Sequence, residues 1–248
     1  DLAPALLPGR DVRDDDDDPS YLPGEAGNEH GTACAGIAAA VGDNGVGVAG
    51  VCPRCSIRCV RLLGARGDLT PLSADVAAFR YAFDVGAEVV SNSWGFAETV
   101  RVPEMLRLVM EDLYDEGRDG RGTLVVFAAG NDNRELRDFE LTGVRGVVNV
   151  GALNLFDEAT PFSNRGPSVD LSAPTGTFTT DIAGADGENA TDYTNNFGGT
   201  SSACPVVAGA AGLLFSADPE VTAQEVHDLL RATARPAPFA TPDAEGHD

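Results

Sequence analysis

Apolar positions along the chain alternate between two rhythms. From His30, small apolar residues run through His30-Gly-Thr-Ala-Cys-Ala-Gly-Ile-Ala-Ala-Ala40, which predicts a helix able to pack closely on its neighbour. Residues 56–63 (SIRCVRLL) are rich in strand formers. Residues 72–85 show amphipathic helical spacing, with Val76, Phe79, Tyr81 and Phe83 among the apolar positions. Glu88-Val-Val-Ser-Asn-Ser93 predicts a strand, and Pro103 to Glu116 a helix with proline in its first turn. Thr123-Leu-Val-Val-Phe-Ala-Ala129 and Gly146 to Ala152 are almost continuously apolar, as expected of strands covered on both faces. Residues 201–216 and 222–234 predict two further helices.

Strand and helix therefore alternate over most of the chain. That implies one α/β domain with a mainly parallel sheet, without internal repeat or interdomain linker. Residues 1–29 are polar and acidic, including the run Asp14 to Asp18, and predict a solvated N-terminal loop region. A glycine-rich loop spans Gly42 to Gly50, and residues 236–248 form an irregular tail.

Charge narrows the partners. The 248 residues carry 17 Lys and Arg against 39 Asp and Glu, a net charge of -22. Nucleic acid and anionic membranes both require a basic surface, so neither is an expected partner. No apolar run is expected to approach the roughly 18 residues needed to span a bilayer. Position 1 is Asp, so no leader is legible.

Five cysteines stand at 34, 52, 55, 59 and 204. The Cys52-Pro-Arg-Cys55 spacing suits a local disulfide, a redox motif or half a zinc site. His30, His227 and His247 are not at metal-ligand spacing from it, and a strand rather than a helix follows it, so a disulfide or free thiols are expected ahead of metal.

Three segments carry candidate chemistry: His30-Gly31-Thr32, Ala128-Ala129-Gly130-Asn131, and Gly198 to Gly209 (GGTSSACPVVAG). Acyl transfer to water needs an activated hydroxyl and donors aimed at the developing oxyanion. A serine opening a helix presents both its hydroxyl and its own amide N–H. An asparagine at the end of a parallel strand can add a second donor, at the sheet edge where ligand crevices form. Ser201, His30 and Asn131 fit nucleophile, base and oxyanion donor. Singly, each residue type is more often a helix cap, a structural histidine or a turn residue.

Together the motifs H-G-T-x-C-A-G, A-A-G-N and G-T-S-x-A-x-P-x-V-A-G resemble those of the subtilisin-like serine proteases, the subtilases (peptidase S8), in family order. Ser91-Asn-Ser-Trp-Gly95 and Phe162-Ser-Asn-Arg-Gly-Pro167 extend the resemblance over nearly the whole chain, with local kexin/furin-like features. The resemblance implies a three-layer α/β/α fold and a serine endopeptidase working through an acyl-enzyme. His30 would be the base, Ser201 the nucleophile, and Asn131 with the Ser201 N–H the oxyanion hole. Ser93, Trp94 and Gly95 would bind substrate as an added strand. Glu98 lies where kexin-like enzymes place an acid favouring basic residues.

The family's catalytic Asp ends an apolar strand in D-x-G, which this sequence lacks. Asp1-Leu2 resembles the pair nine residues beyond that Asp. The expectation is thus a single catalytic domain over 1–248, truncated at both ends, with the Asp upstream; the alternative is a catalytically inactive binding module of the same fold. Asp1, Val41, Asn44, Val46 and Val48 match the family's calcium ligands. A secreted monomer is expected, with Cys34 and Cys204 as buried fillers one turn beyond the catalytic residues.

Overall fold

The computed structural model describes residues 1–25, 27–64, 70–96 and 98–236. Eight strands and five helices follow in the order β1 (Leu6–Asp11), α1 (Glu29–Ala39), β2 (Ile57–Arg61), α2 (Leu72–Asp84), β3 (Val89–Asn92), α3 (Glu104–Gly120), β4 (Leu124–Ala128), β5 (Val147–Leu153), β6 (Leu171–Pro174), β7 (Thr177–Thr180), β8 (Tyr193–Phe197), α4 (Thr200–Ala217) and α5 (Ala223–Thr233).

The centre is a four-stranded parallel sheet in the order β3-β4-β5-β6. Successive side chains of a strand point to opposite faces, and the apolar run of β4 uses both. Leu124 and Val126 join α4 and α5 in one core, with Cys204, Ala208, Phe215 and Val226. Val125 and Phe127 join α2 and α3 in the other, with Phe79, Leu106, Met110 and Leu113. The result is three layers, helix on sheet on helix, as the sequence predicts.

α4 runs under all four strands. It is 18 residues long and apolar enough to pass for a membrane span by length and composition, correcting the expectation that no such run exists. Most of it is covered by the sheet, which accounts for its apolar character on all sides. Gly36 lets α1 approach β7 closely. A Cβ there would fall 2.1 Å from the Thr180 hydroxyl.

Four strands escape the hydrophobic rhythm. β1 lies within the stretch expected to be loop: Leu6–Asp11 pairs in parallel with β2, with a register shift between Leu7 and Arg10. Pro8 and Gly9 interrupt its alternation, which hides it from a pattern search. β6 and the β7–β8 hairpin are short and polar. The acidic run folds back on β1 instead of standing free: Arg10 pairs with Asp15 and Asp17, and Arg61 with Asp11 and Asp14. Pro103 is the N-cap of α3 and not part of its first turn, and Gly117 ends the regular helix. Residues 237–248 of the expected tail lie outside the described residues.

β1 and β2 form a ladder of their own, and no ladder joins it to the four-stranded sheet among the described residues.

Candidate active site

Ser201 sits in the first turn of α4, which begins at Thr200. The turn into the helix needs Gly199 at φ 72°, a left-handed conformation that favours glycine. The first N–H groups of a helix lack intrahelical acceptors. Among the described residues nothing accepts the Ser201 N–H, whereas the Thr200 N–H is taken by Asn131 Oδ1 at 2.9 Å. The Ser201 hydroxyl donates to the Ser93 carbonyl at 3.3 Å.

Asn131 follows β4 at the carboxyl end of the sheet. Its Oδ1 accepts from both the amide and the hydroxyl of Thr200, the latter at 3.1 Å. The acceptor end is therefore held, and Nδ2 is left to face an incoming group. Thr200 is fully buried, and its hydroxyl also accepts the Gly130 N–H at 3.0 Å. Asn164, likewise buried, fixes the same segment: its Nδ2 donates to the Ala129 carbonyl and its Oδ1 accepts the N–H groups of Asp132 and Arg134. Neither Thr200 nor Asn164 was singled out by sequence reasoning. Both lay inside recognised motifs, but only the fold shows what they hold.

His30 opens α1. The sulfur of Cys34, one turn on, lies 3.8 Å from His30 Nδ1 and 3.6 Å from the Ser201 carbonyl oxygen, so a single thiol touches both candidate residues. The Phe197 ring meets the imidazole edge-on at 5.3 Å. Phe197, at the end of β8, carries no sequence signal of its own. Burial lowers the His30 pKa, and the neighbouring Glu29 charge opposes this in part. Among the described residues no carboxylate hydrogen-bonds the ring. Of the acidic run, Asp15 and Asp17 are engaged with Arg10 and Asp14 with Arg61.

Ser93, Trp94 and Gly95 continue beyond the end of β3. The Ser93 hydroxyl donates to the Ser201 carbonyl at 3.0 Å, and Trp94 Nε1 to Asn92 Oδ1 at 3.1 Å. Trp94 packs against Phe127. These residues, with Ser201, Asn131 and Glu98, line a pocket of about 230 Å³.

The loop from Val41 to Ala49 encloses a second hollow. Asp1 lies against this loop. Its carboxylate accepts Asn44 Nδ2 at 3.0 Å, the Val48 N–H at 2.8 Å and the Tyr193 hydroxyl at 3.0 Å. The Asp1 carbonyl accepts the Val41 N–H, and Asn44 Oδ1 the Val46 N–H. All five residues expected at a calcium site thus come together.

Cys52 and Cys55 form a disulfide. Cys34, Cys59 and Cys204 are free. Cys204 is fully buried, but Cys34 keeps partial exposure, which corrects the expectation that both are fully enclosed. Burial pushes the Cys34 thiol up to about 12 and the Cys204 thiol to about 11.

A family model of the subtilases matches residues 4–247. The chain belongs to the subtilase family. It is 34% identical over 241 residues to a calcium-dependent protease of Nostoc sp., covering 84% of this chain and 35% of that protein. It is 37% identical over 226 residues to the halolysin-like extracellular serine protease Nep of Natrialba magadii, covering 91% of this chain and 38% of that one. A solved protease structure from Pseudoalteromonas arctica superimposes with a TM-score of 0.77 at 27% identity, over 97% of this chain and 80% of the other. The chain thus spans little more than a third of the length of these two curated relatives.

Proposed function

We propose that this chain carries the catalytic face of a serine endopeptidase that cleaves peptide bonds through an acyl-enzyme. The observation that carries this is the arrangement at the start of α4: Ser201 with its N–H unengaged, Asn131 with Nδ2 turned free by Thr200, and His30 joined to Ser201 through one thiol.

Ser201 Oγ attacks the carbonyl carbon of the peptide while His30 takes its proton. The carbonyl oxygen becomes an oxyanion, stabilised by the Ser201 N–H and Asn131 Nδ2, with the positive end of the α4 dipole behind them. The C–N bond then breaks, and the leaving amine collects the proton from His30. Water then attacks the ester carbon, giving its proton to His30; the C–Oγ bond breaks, Ser201 Oγ takes the proton from His30, and the acid leaves. The peptide lies extended along Ser93, Trp94 and Gly95. The Ser201 hydroxyl, turned to Ser93 here, swings to His30 when substrate enters.

His30 requires a carboxylate to hold its ring and stabilise the imidazolium. We assign it to a strand from elsewhere in the complete protein, lying between β2 and β3, where the two parallel ladders part. Its absence among the described residues is the one observation favouring an inactive binding module.

Asp1, Asn44 and the carbonyls of Val41, Val46 and Val48 would hold Ca²⁺. Support comes from the Asp1 carboxylate lying against the Asn44 and Val48 positions of the loop and from the resemblance to a calcium-dependent protease. The ion would tie residue 1 to the loop after α1. The Cys52–Cys55 disulfide and the extracellular relative support secretion, and nucleophile, histidine and donor amide all come from one chain, as a monomeric enzyme requires.

The test is to express the complete reading frame and treat it with a fluorophosphonate probe. Labelling lost in Ser201→Ala, together with peptide cleavage, supports the enzyme; a folded protein that neither labels nor cleaves is the binding module.

A further inference from the structure

The Cys52-Pro-Arg-Cys55 turn takes no part in the chemistry described above, yet three elements meet at it. It closes on the end of α1: the Val51 N–H donates to the Ile37 carbonyl at 2.9 Å and the Cys52 N–H to the Ala38 carbonyl at 2.8 Å. On another side it backs the loop that gathers around Asp1. The Pro53 carbonyl accepts the Gly42 N–H at 3.4 Å, and a Cβ on Gly42 would fall 2.9 Å from Pro53 Cβ. The far end of the same loop is tied by the Gly50 N–H to the Ala40 carbonyl at 2.8 Å. The third element is α4. A Cβ on Gly212 would fall 2.9 Å from the Cys55 sulfur and 3.5 Å from the Cys52 sulfur, so the disulfide lies directly on the helix whose first turn carries Ser201.

The two cysteines are separated by only 3 in sequence. A disulfide stabilises a whole fold chiefly by closing a long loop in the unfolded chain, and so short a closure removes little of that freedom. Its effect is therefore local. With the bond open, the turn keeps one backbone bond of its own, from the Cys55 N–H to the Cys52 carbonyl at 3.0 Å. Cys52 stays anchored, buried and tied to α1, so the part set free is Pro53 to Cys55, and with it the contact to Gly42. Gly42 adjoins Val41, one of the five residues assembled around the Asp1 carboxylate. A binding loop left loose must be ordered when it binds, which lowers its affinity. The sulfurs also differ in access. Cys52 is buried, whereas Cys55 is half-buried, 3.9 Å from the Ser216 hydroxyl and next to the exposed Arg54. Cys59, four residues on, is free, but burial raises its thiol and keeps it out of exchange.

We propose that the Cys52–Cys55 disulfide is a redox-addressed brace of the calcium loop: closed, it holds the loop from Val41 to Val48 ready for Ca²⁺, and its reduction by an external dithiol lowers that affinity. The proposal rests on the calcium reading. A thiolate of the dithiol attacks the Cys55 sulfur, the S–S bond breaks, and Cys52 leaves as a thiolate. The second thiolate of the dithiol then attacks the reductant's own sulfur in the mixed disulfide, Cys55 leaves, and both cysteines take up protons. The protein gains two electrons and the dithiol is oxidised to its cyclic disulfide. In a reducing compartment the brace is open, and in an oxidising one it closes.

The test uses Ser201→Ala protein from the complete reading frame, so that self-cleavage does not interfere, stripped of metal by a chelator and titrated with Ca²⁺ in a calorimeter. Asp1→Asn identifies the binding that belongs to this loop; if it weakens no site, the calcium reading fails, and this inference with it. With an Asp1-dependent site present, reduction by dithiothreitol should raise its Kd about tenfold, and reoxidation should restore it. A Cys52→Ser, Cys55→Ser double variant should show the raised Kd with and without dithiothreitol. By linkage, saturating Ca²⁺ should make the disulfide about tenfold harder to reduce in a dithiothreitol redox buffer, a shift of about 30 mV. Near-UV circular dichroism follows the fold throughout. An unchanged Kd after reduction, a disulfide equally reducible with and without Ca²⁺, or a reduction that unfolds the whole protein would overturn it.

Discussion

Pro205 has no N–H for the Ser201 carbonyl four residues earlier in α4, and that carbonyl instead accepts the Ser93 hydroxyl at 3.0 Å and meets the Cys34 thiol at 3.6 Å. A missing helical bond thereby links the turn of Ser201 to the end of β3 and to the helix of His30. Pro205→Ala would restore the helical donor and compete with both contacts. The expected outcome is opposite signs: Tm up by about 2–4 °C for roughly 1 kcal/mol of helix stability, and kcat down about tenfold. Calorimetry and steady-state kinetics on the complete protein check both. A variant that loses stability would show that the proline does not strain the helix.

The Asn131 amide is oriented by Thr200, which donates to it twice. Thr200→Val keeps the shape but removes the hydroxyl link and leaves the Gly130 N–H without its acceptor. Deleting an oxyanion donor outright costs about 10²–10³ in turnover. Misorienting one should cost less, about tenfold to a hundredfold in kcat with KM little changed, and Thr200→Ser should recover most of it. A loss confined to KM would place Thr200 in substrate binding instead.

His30 gives a pH prediction. Burial disfavours its charged form, so its pKa in residues 1–248 should fall below the ordinary 6.5. A neutral buried form is then stabilised by folding. That stability is fully present above 6.5 and is lost as pH falls through the lower folded value. NMR titration of the ring should show this, and a carboxylate brought beside the ring should raise the value. A His30 pKa above 6.5 in the 248-residue chain would show that some acid already pairs with it.

The free thiols should be inert near neutral pH, because the thiolate is the reactive form. With values raised to about 12 for Cys34 and about 11 for Cys204, neither should react with iodoacetamide in the folded protein. Mass spectrometry before and after denaturation checks this. Labelling of Cys34 in the native state would show that its partial exposure, and not its burial, governs its chemistry.

What the sequence disclosed and what it hid divide along physical lines. The two buried strands β4 and β5 and the helices α4 and α5 follow from apolar pattern, because burial dictates their side chains. β1 did not, since an edge strand broken by Pro8 and Gly9 buries too little to show a rhythm. β7 and β8 did not, being a polar hairpin specified by contacts such as Thr179 to the Ala33 carbonyl. At the candidate site, Ser201, His30 and Asn131 lay in recognisable motifs. Their supports, Thr200, Asn164 and Phe197, act through partners distant in sequence.

Between β2 and β3 the two parallel ladders part. β2 and β3 are both parallel strands with helices packed on the faces of the larger sheet, yet among the described residues each pairs on one side only. Unpaired strand edges are costly inside such an architecture, where backbone groups cannot reach water freely. Among the described residues no carboxylate hydrogen-bonds His30, and losing that group from a triad costs about 10⁴ in turnover. One added parallel strand between β2 and β3 would pair both edges and could end in the missing acid. Residues 1–248 alone should therefore be marginally stable and essentially inactive. A longer chain with that strand should gain cooperative unfolding and peptide cleavage together. Asp→Asn at the strand's end should then remove most of the activity while keeping the stability, and Ser201→Ala should abolish cleavage without unfolding the protein. A 248-residue chain that unfolds cooperatively and cleaves at full rate would mean that an acid already within it, rather than a new strand, orients His30.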